Sequence, residues 1–432
     1  MSLGANRALA LHAVPARIAG FFKVLGPGLI TGAADDDPSG ISTYSVAGAS
    51  TGYSMLWLTL VSTPMMAVIQ GMCARIAMVS GVGLAAAIRR ALPAWLCFPI
   101  VALVVAANTL NVGADIAGMA ASMQLLAGGN ALLWVVAFGI VLAALQVFCN
   151  YHTFVRIVKY LAISLLAYVV TAFIVHPDWM AVLRHAFVPE IRFDRQWLST
   201  LMGVLGTTIT PYLFFWQSAL MVEEERAAGR KTVRERKGAT DAEIRAAHAD
   251  VNTGMLYSNI VMFFIILTTA VTLNAHGKTH IATAADAANA LRPLAGNFAY
   301  LLFTAGMVGT GLLAVPALAG SSAYVAAETF RFRGSLDDPP SRAPRFYAVI
   351  VIGILVGILL DVLHVDPIAA LFWSAVINGV VAVPLIAVII WLANRKSLMG
   401  RWRSSRAANV WGVLTFASMS VAAVLMFAFW NQ

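Results

Sequence analysis

The sequence GPGLITGAADDDPSGISTYSVAG, residues 26–48, places three consecutive aspartates and a proline inside a long apolar stretch. A charge near the middle of a membrane-spanning helix costs about 3 kcal/mol or more, so the aspartates at 35–37 need water or a cation beside them. Pro38 removes a backbone donor and Gly40 tolerates unusual dihedral angles, and both favour unwinding of the helix. Because unwound backbone at membrane depth must line a cavity, this stretch predicts a broken helix at an internal site.

A second break follows in LMGVLGTTITPYLFFWQSALMVEEE, residues 201–225, where Pro211 interrupts another apolar run. A proline alone could simply mark a kinked packing helix. This break, however, lies five spans after the first one. Matching breaks in two halves of a chain are typical of inverted-repeat transporters with a site at the membrane midplane. The two breaks therefore predict that spans 1–5 and spans 6–10 form the two repeats.

The composition agrees with a membrane protein. Of the 432 residues, 60% are hydrophobic and 11% are charged, against about 25% charged in an ordinary soluble domain. This composition excludes a disordered chain, a coiled coil and a collagen-like chain, and it argues against a soluble enzyme. The three cysteines lack CxxC spacing and indicate neither a disulfide framework nor a thiolate metal site.

Apolar runs long enough to cross a bilayer recur between polar clusters. We predict eleven spans, at residues 24–49, 55–78, 98–126, 131–149, 154–175, 198–222, 251–274, 297–327, 346–362, 367–393 and 408–430. The predicted fold is an all-α membrane protein with an inverted repeat and an appended eleventh span. Residues 1–432 then form a single transmembrane transporter domain.

The distribution of basic residues predicts the orientation in the membrane. With the N-terminus inside, 24 of the 29 lysines and arginines fall in segments on the inner side, which is a strong positive-inside pattern. Residues 1–22 are then cytoplasmic, the C-terminus is external, and the protein belongs in the inner or plasma membrane. Topology and contact with the anionic lipid bilayer explain the net charge of +9, so no nucleic-acid partner is predicted.

One segment between spans differs from the other short connections. Residues 223–250 carry seven acidic and seven basic side chains. Such a mixture is typical of a solvated helix or a flexible loop, and we predict a charged cytoplasmic loop here. Regulation or docking of a partner is the alternative role.

The residue types at the two breaks predict an all-oxygen cation site. Asp37 supplies a carboxylate, and the hydroxyls of Thr207 and Thr210 add neutral oxygens from the second break. The complete set that we predict to line the metal consists of Asp37, Asp36, Thr207, Thr210, Gly40 and Asn378. Oxygen ligands suit magnesium, calcium or manganese and disfavour soft metals. A roomy site lined by hydroxyls could hold magnesium partly hydrated.

These residues also have structural interpretations. Asp37 could cap the helix that follows the break, and the threonines could bond back to the preceding helical turn. Asn378 could only join two helices. Asp115, in the third span, could serve a proton or ion route or bridge helices. Three consecutive aspartates cannot all face one cavity, so we expect Asp37, rather than its two neighbours, to be the main metal ligand of the three.

The two broken spans resemble those of the NRAMP divalent-metal transporters. GPGLITGAADDDPSG (26–40), followed by GYSMLWLTL (52–60), is similar to the first span of that family, whose hallmark is Asp-Pro-Gly-Asn. GTTITPYLFFWQSAL (206–220) is similar to its sixth span, whose hallmark is Ala-x-x-Met-Pro-His. The resemblance covers essentially the whole chain. It implies a LeuT-like fold, broken in spans 1 and 6 at the midplane, that works by alternating access.

The sequence departs from the family pattern at the metal site. Ser39 and Gly40 replace the family's glycine and asparagine, so one amide ligand is lost. Thr207 takes the position of the alanine whose carbonyl faces the metal. Thr210 takes the position of the methionine, whose thioether helps the family to favour transition metals.

The proton route of the family is also reduced. Tyr212 replaces the histidine after the proline, and Gln217 replaces a second histidine. In the third span the family has an aspartate and a glutamate as part of the proton route. The corresponding stretch here, NVGADIAGMAA (111–121), keeps one acid, Asp115. This combination resembles the NRAMP-related magnesium transporter branch, which carries magnesium and manganese and lacks strong proton coupling.

We therefore expect a secondary transporter, and not an enzyme, that moves magnesium or manganese with weak or no proton coupling. The main alternative is a proton-coupled manganese or iron importer with unusual ligands. The sequence shows no serine–histidine pair, no HExxH motif and no facing pair of catalytic aspartates. A non-transporting sensor, the remaining alternative, would be stabilised by metal without moving it. We predict no cofactor besides the transported cation, and a monomer.

Overall fold

The computed structural model describes residues 27–148, 163–361 and 366–430, and every regular element in these ranges is helical. The longer helices are α1 Pro27–Asp35, α2 Pro38–Thr51, α3 Leu56–Ser80, α4 Leu84–Ala91, α5 Ala94–Ala127, α6 Ala131–Phe148, α7 Leu166–Ile174, α8 Trp179–Phe187, α9 Arg195–Thr208, α10 Pro211–Ala227, α11 Asp241–Thr272, α12 Ala299–Phe330, α13 Pro344–Asp361, α14 Pro367–Asn394 and α15 Arg406–Ala428. Short helical turns connect several of them.

Eight helical stretches in the described residues are long and apolar enough to cross a membrane, and the shorter apolar helix Pro344–Leu359 is a further candidate. Each of the eleven predicted spans has a helical counterpart among α1–α15. The fifth span is represented by α7, because residues 154–162 lie outside the described ranges. The predicted cytoplasmic N-terminus, residues 1–22, also lies outside them.

Both predicted breaks are present. The first span divides into α1 and α2 at residues 36 and 37, and the sixth divides into α9 and α10 at residues 209 and 210. Pro38 and Pro211 begin the second halves, where a proline loses nothing because the first helical amides have no partner within the helix. Each break therefore ends one helix and starts another after two residues.

Close contacts between glycines bring the broken helices against their neighbours. A Cβ atom at Gly32 of α1 would overlap the backbone of Gly254 in α11. A Cβ atom at Gly206 of α9 would likewise overlap the backbone of α14 at Ala375 and Gly379. Small residues allow this approach, which is the usual means of tight helix association in a membrane. The first break is thereby fixed beside α11, and the second beside α14.

The charged segment 223–250, for which the sequence allowed a solvated helix or a flexible loop, is largely helical. Helix α10 continues to Ala227, and α11 begins within the segment. Thr240 and Glu243 form a capping box, which satisfies the first free amides of α11 and fixes its start. Only residues 228–240 connect the two helices.

This connector is attached to the helices around it. The guanidinium of Arg236 is buried and donates to the carbonyl of Gly81, 3.2 Å away, just after the end of α3. Arg230 pairs with Glu225 at 2.5 Å and with Glu243 at 2.6 Å, so it joins α10 to α11. The connector therefore links the second half of the sixth span, α10, to the neighbouring helices α3 and α11.

Candidate metal-binding site

Asp37 lies at the first break and uses its two carboxylate oxygens differently. Oδ1 accepts hydrogen bonds from the Gly40 amide at 2.7 Å and from the Ser39 hydroxyl at 2.6 Å, which caps α2. Oδ2 points to other helices, where it is 3.2 Å from Asn111 Nδ2 and 3.5 Å from the Tyr212 hydroxyl. The capping interpretation of Asp37 is correct for one oxygen and leaves the other available to a cation.

Asn111 and Asp115 of α5 face this break together, because residues four apart share one face of a helix. Asn111 Nδ2 is 3.3 Å from Asp115 Oδ2, and Asp115 Oδ1 accepts from the Ser39 amide at 3.2 Å. Asn378 of α14 donates to Asn111 Oδ1 at 3.0 Å. The oxygen of the Asn378 amide is buried and has no hydrogen-bond partner in the described ranges. Helix α5 thus contacts the Asp37 carboxylate directly, and α14 joins the same hydrogen-bonded group through Asn111.

The second break adds hydroxyl groups. The Thr210 hydroxyl is buried and has no hydrogen-bond partner in the part of the chain that the structure describes. The Thr207 hydroxyl approaches that of Tyr44 without reaching a sound hydrogen-bonding geometry. A Cβ atom at Gly40 would lie 3.3 Å from Thr207 Oγ1, so Gly40 keeps the two breaks close. These oxygens can serve a cation because no strong internal hydrogen bond occupies them.

Tyr212 closes the gap between the two breaks. Its hydroxyl donates to the carbonyl of Ala34 at 2.7 Å, which satisfies a backbone oxygen near the end of α1. Its backbone carbonyl accepts from the Ser321 hydroxyl of α12 at 3.0 Å. Tyr212 is therefore a bridge between helices that also reaches Asp37 Oδ2, the oxygen outside the helix cap.

Asp36 does not share the surroundings of Asp37. Its Oδ1 is 3.2 Å from the Ser258 hydroxyl of α11, and Ser258 also hydrogen-bonds Asp35 Oδ2. The contacts of Asp37, by contrast, lead to α5 and α10. The sequence grouped Asp36 with Asp37 at one metal, whereas the structure turns Asp36 toward another helix.

The site is closed to solvent and strongly acidic. Its side chains at Asp37, Asp115, Asn111, Asn378, Thr207 and Thr210 are at most 2% exposed. The ion pairs formed by the described residues include none of the four buried aspartates at 35–37 and 115. No group of three His, Cys, Asp or Glu side chains forms a metal cage within the described ranges. Carboxylate, amide and hydroxyl oxygens are the donors present, and they suit a hard cation.

Two of these residues were not predicted from the sequence. Asn111 was missed, although its spacing of four from Asp115 would have marked a shared polar face of the helix. Ser258 was missed because one serine in an apolar span carries no signal of its own. Both gain their role from helices that are distant in sequence.

Two broken helices around an acidic, oxygen-lined centre define an inverted-repeat membrane transporter of the LeuT-like fold. Residues 28–429 match the family model for Nramp, natural resistance-associated macrophage protein-like. The chain belongs to this family.

Relatives and solved structures agree with this assignment. A protein of Acidiphilium cryptum named divalent metal cation transporter MntH is 27% identical over 414 residues, which cover 93% of this chain and 88% of the relative. The manganese transporter structure from Eremococcus coleocola is 19% identical, has a TM-score of 0.72, and matches 93% of this chain and 86% of its own. The nucleobase-cation symporter Mhp1 gives a TM-score of 0.55 at 14% identity over 93% and 91% of the two chains. These likenesses confirm the predicted LeuT-like fold.

Proposed function

We propose that this protein is a secondary transporter that moves divalent cations, magnesium or manganese, across the inner or plasma membrane by alternating access. The curated relatives are named as divalent metal cation transporters and not as enzymes, which supports this class of function. We further propose that the N-terminus is cytoplasmic and the C-terminus external, and that the protein acts as a monomer.

The arrangement around Asp37 Oδ2 carries the proposal. One carboxylate oxygen lies 3.2 Å from Asn111 Nδ2 and 3.5 Å from the Tyr212 hydroxyl at the start of α10, and the buried Thr210 hydroxyl at the second break has no hydrogen-bond partner in the described ranges. The unpartnered Asn378 oxygen belongs to the same hydrogen-bonded group through Asn111. These are hard donors, and no thioether or imidazole accompanies them at either break. Such a set favours magnesium and manganese over softer metals.

We propose that proton coupling is weak or absent. Tyr212 and Gln217 occupy the positions where the family has histidines, and neither side chain titrates near neutral pH. Asp115 is the observation that favours the alternative, a proton-coupled importer, because it is buried beside the Asp37 group. The two functions differ in the behaviour of Asp115: it releases and rebinds a proton in a proton-coupled importer, and it keeps one charge state in an uncoupled transporter.

Uptake by the full-length protein in liposomes tests the proposed function. Magnesium, manganese and calcium are supplied in turn, with a pH-sensitive dye inside the same vesicles. We expect uptake of magnesium and manganese down their gradients, and none in protein-free liposomes. If metal stabilised the purified protein against heat while no metal entered, the protein would be a sensor and the proposal would fail.

A further inference from the structure

We propose that the surface where α4 ends, α14 ends and α15 begins is a binding site for the headgroup of an anionic phospholipid. We call this surface the basic patch. Its basic side chains are Arg89, Arg90, Arg395, Lys396, Arg403 and Arg406. The inference goes beyond the proposed transport function, because it concerns a lipid ligand and none of these residues lies at either helix break.

A hydrogen bond brings two distant parts of the chain together in the basic patch. Arg395 Nη1 donates to the carbonyl of Ala91, the last residue of α4, at 3.1 Å, although the two residues are 304 positions apart. Arg89 and Arg90 belong to the same last turn of α4. The positive-inside pattern requires only that basic residues lie on one side of the membrane. The fold, in addition, gathers these bases at one place.

The connection between α14 and α15 is fixed against the end of α14. Asn394 and Asn409 exchange side-chain hydrogen bonds of 2.7 and 2.9 Å, which join the two helices. The amide of Ser404 donates to the carbonyl of Ala393 at 3.1 Å. The bases on either side of Ser404 are therefore held next to the end of α14, and the patch is a preformed surface.

No carboxylate of the protein is paired with these bases. Residues 38–114 and 367–432, which supply the whole patch, contain no aspartate or glutamate. The ion pairs among the described residues include none of the six bases. Elsewhere in the protein, Arg226, Arg230 and Arg333 each pair with a carboxylate. The charge of the basic patch is therefore available to an anion from outside the chain.

Aromatic rings orient two guanidinium groups of the patch. The guanidinium carbon of Arg89 lies 5.5 Å from the centre of the Phe98 ring, and that of Arg395 lies 4.9 Å from the centre of the Trp391 ring. An aromatic ring attracts a cation without neutralising its charge. The rings thus hold these groups in place and leave their positive charge for a ligand.

The surroundings of the patch favour a lipid over a soluble anion. Trp95 of α5 is 72% exposed, Trp391 of α14 is 44% exposed and Val410 of α15 is 59% exposed. In a protein that crosses a membrane, exposed apolar side chains contact the acyl chains, and tryptophan is typical of the headgroup level. A phospholipid fits both features, because its phosphate can bind the bases while its chains cover the apolar side chains. A soluble anion would leave those side chains uncovered.

Native mass spectrometry of the full-length protein in detergent tests the proposal without measuring transport. Dioleoyl phosphatidylglycerol, which is anionic, and dioleoyl phosphatidylcholine, which is zwitterionic, have the same chains and are added in turn. We expect the wild type to bind the anionic lipid at least about tenfold more tightly. A base near an anionic lipid surface contributes about fivefold in affinity. The exposed pair Arg90→Gln and Lys396→Gln should therefore lower the preference by about tenfold or more.

Two further variants separate the basic patch from net charge and from misfolding. Arg342→Gln with Arg345→Gln removes two exposed bases next to the start of α13 and should keep the preference. Arg90→Lys with Lys396→Arg keeps both charges of the patch and should also keep it. An equal loss in the Arg342 and Arg345 variant would overturn the proposal, because net charge alone would then explain the binding.

Two results on the wild type, which depend on no variant, would also overturn the proposal. Equal affinity for the two lipids would show that the patch does not recognise headgroup charge. Glycerol phosphate has the phosphate without the acyl chains, and we expect it not to displace the bound phosphatidylglycerol. Displacement by glycerol phosphate would identify a site for a soluble anion instead of a lipid.

Discussion

The two oxygens of Asp37 have separable roles, one in the helix cap and one toward the site. Asp37→Asn keeps an acceptor for the Gly40 amide and removes the charge, whereas Asp37→Ala removes both. Mutating a residue that only hydrogen-bonds a metal ligand typically lowers metal affinity about 10–100-fold. Because Asp37 is proposed as a direct ligand, we expect either change to lower uptake by about 100-fold or more. Only Asp37→Ala should also lose about 1 kcal/mol of stability from the missing cap. Liposome uptake and thermal denaturation measure the two effects, and near wild-type uptake would remove Asp37 from the mechanism.

Thr210 offers a test of metal preference at a single position. Its hydroxyl is buried and has no partner in the described ranges. Thr210→Met places a soft thioether there, so uptake of manganese or cadmium should rise relative to magnesium. A tenfold change in the ratio corresponds to about 1.4 kcal/mol in relative binding. Competition uptake measures the ratio, with Thr210→Val as the control that removes the hydroxyl without adding sulfur. An unchanged ratio in Thr210→Met would show that residue 210 does not face the ion.

At this scale, the sequence predicted residues whose chemistry is unusual for a membrane. Asp37 and Thr210 could be proposed because a charge and a hydroxyl stand next to helix-breaking prolines. Ser258 could not, since its partners lie more than 220 positions away along the chain. Asn111 carried only the signal of its spacing from Asp115, because its partner Asp37 lies 74 positions away. Asp37 contacts α5, whereas Asp35 and Asp36 contact α11. Which aspartate contacts which helix depends on the backbone path through the break, and the composition does not reveal that path.

At the scale of elements, the two prolines made the helix breaks predictable. The close packing of the broken helices against their neighbours could not be predicted. The contact of α9 with α14 depends on Gly206 lying against the backbone at Ala375 and Gly379. Glycine is common in membrane helices, and the sequence does not say which glycine contacts another helix. The start of α11 was missed for a related reason. Its capping box lies inside a charged stretch that resembles a loop.

The contact at Gly206 gives a prediction with a matched control. Gly206→Ala would force a methyl group into the backbone of α14, and overpacking of this kind typically costs about 1–3 kcal/mol. We expect a lower midpoint of thermal unfolding in detergent and a loss of transport. Gly353→Ala makes the same chemical change in α13, where no atom beyond the local helix backbone lies within 4 Å of the new methyl group. It should be neutral or stabilise by up to about 1 kcal/mol. Equal midpoints for the two variants would contradict the close contact.

For the whole molecule, the strongest predictions came from patterns repeated along the chain. Eleven apolar runs and two matching breaks predicted the inverted repeat, because few membrane folds place broken helices five spans apart. Coupling between substrate and protons is a different kind of property. It depends on which buried acids change their charge as the protein alternates between conformations. Such changes depend on side-chain distances, such as the 3.3 Å between Asn111 Nδ2 and Asp115 Oδ2.

Asp115 allows the coupling to be tested on the complete transporter. Asn111 Nδ2 lies between the carboxylates of Asp115 and Asp37, and Asp115 also accepts from the Ser39 amide at the break. The protonation of Asp115 is therefore expected to be sensitive to a cation that binds at Asp37. A proton-coupled carrier would release a proton from such a group in each cycle. With no histidine at the sixth break, we expect the surrounding amides to hold Asp115 in one charge state throughout. Its charge would then serve to balance the cation.

The measurement is manganese uptake into liposomes with an internal pH dye, at zero membrane potential. We expect metal entry without matching acidification, and no uphill uptake when a pH gradient is imposed. Asp115→Asn should lower the rate, because a charge that balances the cation is lost, and it should leave the absence of acidification unchanged. Asp286→Asn, far along the chain in the capping box of a short helix, keeps an acceptor for the cap; it is the control and should keep the wild-type rate. Stoichiometric acidification in the wild type that disappears in Asp115→Asn would instead identify a proton-coupled importer, with Asp115 as the group that carries the proton.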